Sequence, residues 1–331
     1  MIIIANKNQI KIRLDIFLKE KLSFLSRNQI QILIKVGKIL INNNIIKKNN
    51  YIIKPLDIID VNINSYDLKK NKNLSNEYND IIAKKININI IYEDDDIILI
   101  NKPHGLVVHP GCGNETKTLI HGIKYYYDYI FSNNVYRGGL VHRLDKDTSG
   151  LLIIAKNNIS YKFLCKQFLY KTIKREYIAL IWGDVSNKKK IIEGFIRRDP
   201  NNRKKMINSN INKIGKYSVT HYKILEIFGK YITLVLCNLE TGRTHQIRVH
   251  FKYLGNPIIC DTTYGKDEHF IKKLPNKYKS FFKNCLYKLS RQALHAISIS
   301  FIHPNGKKYY FSCPISKDIN IILNEFRNKF L

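Results

Sequence analysis

Gly138-Gly-Leu-Val-His-Arg-Leu-Asp-Lys-Asp-Thr-Ser-Gly150 runs directly into Leu151-Leu-Ile-Ile-Ala155. Glycines at both ends of a polar stretch describe a loop, and the apolar run after it describes a strand, so the loop stands at a strand's mouth. Such a loop can hold Asp145 inside a cleft, with Arg143 two residues away and Thr148 and Ser149 available as hydrogen-bond donors. A lone Asp in a glycine-bounded loop is ordinarily a turn former. The surrounding segments have to decide between the two readings.

Outward from this loop, residues 86–331 alternate short Ile-rich strands with turns and a few helices. Ile97 to Ile100, Leu151 to Ala155, Tyr177 to Trp182, Val219 to Phe228 and Tyr231 to Leu239 read as strands. The gap at Phe228-Gly229-Lys230 has hairpin length, which favours a mixed, largely antiparallel sheet over a doubly wound one. The expected fold is α+β. Upstream, residues 65–85 are rich in Asn, Lys and Asp with little periodicity and read as a linker.

Residues 11–64 form a separate unit. Leu14, Phe17, Leu18 and Leu22 recur at helical spacing, and Ile30, Leu33 and Ile34 share one face of a second helix. Ser26 is placed to cap that helix, and Gly37 to end it in a left-handed conformation. Lys38 to Ile41, an Asn42-Asn43-Asn44 turn and Ile45 to Lys48 read as a hairpin. Arg27, Lys35, Lys38, Lys47 and Lys48 lie on the outward face. This helix–helix–hairpin pattern resembles the S4 domain, and the resemblance implies that the basic face binds RNA backbone. One departure is visible: Leu56-Asp57 stands where that family usually has a Gly-Asp pair.

Composition bounds the rest. The 331 residues carry 56 Lys and Arg against 26 Asp and Glu, a formal net charge of +30. Polyanions are therefore the natural partners. With 44% apolar and 11% aromatic residues, wholesale disorder is excluded. Only 12 of the basic residues are Arg, and eight of those fall between Arg137 and Arg248. In a chain whose general basicity is supplied by Lys, the few Arg mark places where a planar, bidentate cation is required. The six Cys form no CxxC pair, which suggests free thiols in a reducing compartment. His104, His109 and Cys112 match no zinc spacing, so no metal and no cofactor are expected. No stretch reaches the ~18 apolar residues of a membrane span, and a cytoplasmic, monomeric protein is expected.

Two further segments bear on Asp145. Arg175-Glu176-Tyr177 opens a strand, and Leu239-Glu-Thr-Gly-Arg-Thr-His-Gln-Ile-Arg-Val-His250 passes from a strand end through a glycine turn into a helix ending near Gly255. Each alone has a bland reading, a core Tyr or a surface Arg. Together with His142-Arg143-Leu144-Asp145 and Thr148-Ser149-Gly150 they resemble the RluA-type pseudouridine synthases. Asn101-Lys-Pro, Leu106-Val-Val-His-Pro-Gly111 and Arg291-Gln-Ala-Leu-His295 resemble the branch of that family that modifies large-subunit ribosomal RNA.

The resemblance implies that Asp145 is the catalytic nucleophile or base and that Tyr177 packs on the uracil ring. It also implies that Arg248 pairs with Asp145 and that Arg143 enters the RNA as the uridine leaves. Ile247 and Arg243, from the last motif, join the substrate-binding set. The implied reaction breaks the N1–C1′ bond, turns the uracil and joins C5 to C1′, with no redox change. A base inside folded RNA must be flipped out, and aromatic stacking can offset the cost. The carboxylate must be ionised to act, and a guanidinium within hydrogen-bond reach keeps it so inside a cleft. The implied partner is large-subunit ribosomal RNA or a pre-ribosomal particle. Two alternatives stay open: a non-catalytic RNA-binding assembly factor, and a synthase of the same family acting on other rRNA or tRNA uridines. A glycosidase pair of Asp145 and Asp147 is disfavoured, since an i, i+2 spacing in a loop does not set the separation such a pair needs.

Overall fold

The computed structural model describes residues 1–6, 11–22, 24–25, 27–62, 81–111, 113–202, 204–209 and 213–331. The chain divides into two compact units, 1–77 and 78–331. Ser26, Cys112 and most of the expected linker lie outside the described residues.

In the first unit, helices Leu14–Lys21 and Arg27–Lys35 pack on a four-stranded sheet of order β1 (Ile2–Ile4), β4 (Ile58–Val61), β2 (Ile39–Ile41), β3 (Asn44–Ile45). Leu14, Leu18, Ile30, Leu33 and Ile34 are buried together with Ile39, Ile41 and Ile59. The sheet is larger than the expected hairpin. Strand β1, which precedes the expected start at residue 11, pairs antiparallel with β4. The turn is also tighter. Asn42 and Asn43 take the two positive-φ positions of a two-residue hairpin turn, and Asn44 already belongs to β3, which ends at Ile45. Gly37 is left-handed, φ +78°, and so is Leu56, φ +65°, the position at which the sequence departs from the S4 resemblance.

Asp15 is fully buried in this unit and accepts hydrogen bonds from Arg13, Arg27 and Gln31. Burial alone would raise its pKa, but the bonds from Gln31, Arg27 and Arg13 outweigh it and hold the carboxyl below its ordinary value. Arg27 therefore has an internal partner, while Lys35, Lys47 and Lys48 are exposed and Lys38 is half-buried.

The second unit is built on a ten-stranded sheet: β5 (Asn89–Glu93), β6 (Ile97–Lys102), β7 (Ser149–Ala155), β8 (Lys174–Trp182), β9 (Ile191–Arg198), β10 (Met206–Asn208), β11 (Lys216–Phe228), β12 (Ile232–Leu239), β13 (Leu294–Ile302) and β14 (Lys308–Ser312). Its order is β10-β9-β11-β12-β8-β13-β7-β6-β5, with β14 on β13. Among the described strands only β13 and β7 pair in parallel, so the sheet is mixed and largely antiparallel. The fold is α+β.

The apolar runs of β6 and β7 have a physical reason: both faces of the sheet are covered. Ile98, Ile100, Leu152 and Ile154 face a core shared with helices Leu119–Tyr126, Gln246–Tyr253, Asn276–Tyr287 and Lys317–Phe330. Ile97, Leu99, Leu151, Ile153 and Ala155 face Leu164 of helix Asn158–Leu169 and Phe301. Each such Ile, Leu or Phe side chain contributes about 1.5–3 kcal/mol on burial, which anchors the strand from which the Asp145 loop springs. Ile81 is buried in the first of these cores, and Lys84 N–H bonds to His121 O. Residues 81–85, expected as linker, thus pack into the second unit.

Candidate active site

The loop before β7 is bounded by two glycines whose lack of Cβ is required. A Cβ on Gly139 (φ +79°) would lie 2.0 Å from Ala155 O, and one on Gly150 (φ +113°) 2.2 Å from Ala296 O. The backbones touch there, and the polar residues between are lifted into a cleft of ≈ 410 Å³.

Each position after Asp145 has its own tether. Lys102, fully buried, donates its three ammonium protons to Pro103 O, Leu106 O and Lys146 O at 2.8, 2.8 and 3.0 Å. Burial pushes this lysine down to about 7, against the pull of Asp145 and Asp147. Arg291 donates to Asp147 O at 2.9 Å while its fork grips Asp318. Gln292 bonds to Thr148 Oγ1, and Ser149 Oγ lies 2.8 Å from His295 Nδ1. Upstream, His142 Nε2 accepts Ile153 N–H at 3.0 Å, and burial, with Arg175 nearby, pushes this imidazole down to about 3. It stays neutral and serves packing.

The opposite wall comes from the turn after β12. Gln246 satisfies all its bonding capacity there. Its Oε1 accepts Thr241 Oγ1–H and Arg243 N–H, and its Nε2 donates to Val219 O and Thr220 Oγ1. This locks residues 241–246 onto β11. His250 sits between Ser218 and Thr220 Oγ atoms, 2.9 Å from each, and is fully buried. The first turn of helix Gln246–Tyr253 then aims Arg248 into the cleft.

Arg248 Nη1 lies 3.3 Å from Asp145 Oδ2. Its Nε and Nη2 form a bidentate pair with Asp261 at 2.7 and 2.8 Å, the geometry for which Arg rather than Lys is suited. Burial works against the charge, but the bonds to Asp261 outweigh it and hold the guanidinium above its ordinary value. Asp261 is buried and also accepts the N–H groups of Thr263 and Tyr264, 3.0 Å each. The Tyr264 ring stacks 5.1 Å from the guanidinium carbon.

The remaining sequence candidates fall around the same cleft. Tyr177 on β8 is 6% exposed, and Ile247 forms an apolar wall. Burial raises the Tyr177 phenol, with Arg175 opposing. Arg243 is half-buried and braced by Nε to Tyr217 O at 3.1 Å. Arg143 is exposed at the cleft. A second hollow adjoins it, lined in part by Arg197, Arg198, Lys216 and Arg243. The five S4-unit candidates belong to the other unit.

Sequence reasoning missed Asp261 and Tyr264. Asp261-Thr-Thr-Tyr-Gly265 carries only the signal of a side chain bonding its own backbone two and three residues on, which reads as a turn. His245, from the last motif, also lines the cleft, its Nε2 3.8 Å from Asp145 Oδ2.

Comparison with known proteins agrees with this architecture. The family of RNA pseudouridylate synthases matches residues 96–253, and the S4 domain matches residues 12–59. An uncharacterized RNA pseudouridine synthase, YlyB, of Bacillus subtilis is 38% identical over 98% of this chain and 97% of its own length. Ribosomal large subunit pseudouridine synthase D of Buchnera aphidicola (Acyrthosiphon pisum) is 38% identical over 94% and 93%. The structure of human RNA pseudouridylate synthase domain containing 1 is 22% identical, with a TM-score of 0.51 over 73% of this chain and 95% of that one, and shares the fold. The matched stretch includes Asp145, Tyr177 and Arg248 and stops short of Asp261. With relatives aligned along nearly the whole length, the chain belongs to the RNA pseudouridine synthases, isomerases that convert uridine in RNA to pseudouridine, and carries an S4 domain at its N-terminal end.

Proposed function

We propose that this enzyme isomerises uridines of large-subunit ribosomal RNA, with Asp145 as the catalytic carboxylate. The observation that carries the reading is the convergence in one cleft of Asp145, an arginine 3.3 Å from it, and a tyrosine ring with an apolar wall. The substrate class is supported by relatives named ribosomal large subunit pseudouridine synthase D.

Each residue then has a physical task. Arg248, fixed by Asp261, orients Asp145 through its Oδ2, leaving the carboxylate to act at the sugar or the ring. Tyr177 and Ile247 sandwich the flipped uracil and offset the loss of stacking in the RNA. Arg143, at the cleft's rim, occupies the place the uridine vacates. Arg243, with Arg197, Arg198 and Lys216, offers positive charge to the flanking phosphates. In the S4 unit, Arg27, Lys35, Lys38, Lys47 and Lys48 supply the shape-directed backbone contacts.

The test uses large-subunit RNA labelled with tritium at uracil C5, because joining C5 to C1′ expels that atom. Wild-type protein should release label and Asp145→Asn should release none. Equal release by both would overturn the role of Asp145. Release from transfer RNA but not from large-subunit RNA would overturn the substrate class.

A further inference from the structure

His245 has an unusual setting. It is left-handed, φ +55° and ψ +23°, at the entry to helix Gln246–Tyr253, a conformation uncommon for non-glycine residues and one in which Asn, Asp and His are enriched. Its Nδ1 lies 2.8 Å from Tyr264 Oη. That hydroxyl accepts Met206 N–H at 2.8 Å, and among the described residues the acceptor within reach of its own proton is Nδ1, so the arrangement that satisfies the hydroxyl has Nδ1 accepting. The proton of the neutral ring is thereby placed on Nε2. Burial pushes the imidazole below its ordinary value, with Arg143 and Arg248 acting in the same direction against Asp145 and Asp261. The ring is a neutral donor.

Nε2 lies 3.8 Å from Asp145 Oδ2, too far for a hydrogen bond. Among the described residues Nε2 has no hydrogen-bond partner, and the side chain is 21% exposed at the cleft. By contrast Arg248 has its Nε and Nη2 committed to Asp261 and its Nη1 to Asp145. The cleft thus offers a donor and a carboxylate acceptor side by side. A ligand oxygen about 2.8 Å from each spans such a gap, provided it can accept from one and donate to the other. Uracil carbonyls only accept and N3–H only donates, whereas a hydroxyl does both. A carboxylate acting at C1′ or C2′ stands next to one such group, the ribose 2′-hydroxyl, which distinguishes RNA from DNA.

We propose that His245 Nε2–H donates to the 2′-hydroxyl of the target nucleotide while that hydroxyl donates to Asp145, so that the pair selects a ribonucleotide at the reacting position. The assignment rests on the reading of Asp145 as the catalytic carboxylate. Tyr264 is a positioning residue that sets the His245 tautomer.

The experiment is a cycle between enzyme and substrate. Two synthetic stem-loops span a uridine that the wild-type protein converts, identical except for a 2′-hydroxyl or 2′-hydrogen at that uridine, both tritiated at C5. The kcat/KM penalty for the deoxy substrate is measured with wild type, His245→Asn and Tyr264→Phe. Asn tolerates the left-handed backbone but is too short to reach, so the turn is kept and the donor lost. The intrinsic chemical effect of the deoxy sugar cancels between proteins. The penalty should be about ten-fold larger for wild type than for His245→Asn, as for loss of one hydrogen bond, with Tyr264→Phe between them. Equal penalties in all three proteins would overturn the proposal. Asp145→Asn on the ribose substrate separates the two readings. If it is inactive while the penalties are equal, only the role of His245 fails; if it is active, the reading of Asp145 fails as well.

Discussion

Asp261 lies outside the cleft lining, yet the structure makes it the support of Arg248, and Asp261→Asn tests that arrangement. The carboxylate accepts four hydrogen bonds, at 2.7 and 2.8 Å from the guanidinium and 3.0 Å from each of two backbone N–H groups. Oδ1 takes three of these and Oδ2 one. The amide oxygen can replace Oδ1, but the amide nitrogen then faces Arg248 Nε, donor against donor. One charge-assisted bond worth about 1.5–3 kcal/mol is lost, and a buried cation loses its compensating charge, which costs up to about 3–5 kcal/mol when uncompensated. Arg248 retains Asp145 as a partner, so the destabilisation should be about 2–4 kcal/mol, below that bound. The freed guanidinium no longer holds Asp145 in register. A displacement of ~1 Å at a reacting group can cost about 100-fold in rate, so kcat should fall by about that factor with a smaller change in KM. Urea unfolding gives the first quantity. Tritium release under conditions where the variant remains folded gives the second. Unchanged kcat in a folded Asp261→Asn protein would refute the reasoning, because Arg248 would then need no external support.

Three further outcomes follow from particular contacts. Tyr177→Phe should stay within a few-fold of wild type in kcat/KM, whereas Tyr177→Ala should lose the ~1–3 kcal/mol of one stacked base; equal activity of the two would exclude a stacking role. Leu56→Gly should stabilise the S4 unit by roughly 0.5–1 kcal/mol, because the left-handed conformation costs Leu about 1–2 kcal/mol and Gly recovers part of it. Leu56 is 56% exposed, so little burial is lost, and a lowered urea midpoint would contradict the strain. Asp15 has its folded-state value held below that of the unfolded chain. Its contribution is therefore complete above the unfolded value near 3.9 and disappears as pH falls through the folded value. Amide exchange in helix Leu14–Lys21 should accelerate over that acid range, and Asp15→Asn should flatten the dependence; an identical pH profile in the variant would count against the role of the buried carboxylate.

Much of the architecture was legible because its causes are local. Alternation of apolar residues, the glycines at Gly139 and Gly150, and the hairpin at Gly229 report backbone geometry that short stretches dictate. The α+β class and the largely antiparallel sheet were readable for that reason. Boundaries were less so: β1 is three residues that become a strand only by pairing with β4, and residues 81–85 look like linker until Ile81 is seen in the core. The Ile run of β1 favours a strand locally, but its partner, like the place of Ile81 in the core, is set by remote segments.

The site divides in the same way. Loop and strand signals, written within a few positions, place Asp145 between glycines, Tyr177 on a strand and the arginine-rich turn before a helix, but that these residues share one site was implied by the family resemblance and by no local pattern. How those residues act on one another depends on packing. Arg248 reaches Asp145 across 103 positions of chain and takes its orientation from Asp261, while Tyr264 assigns the proton on His245. Side-chain pairing and protonation depend on distances and burial that arise when remote segments pack, and no local pattern encodes them.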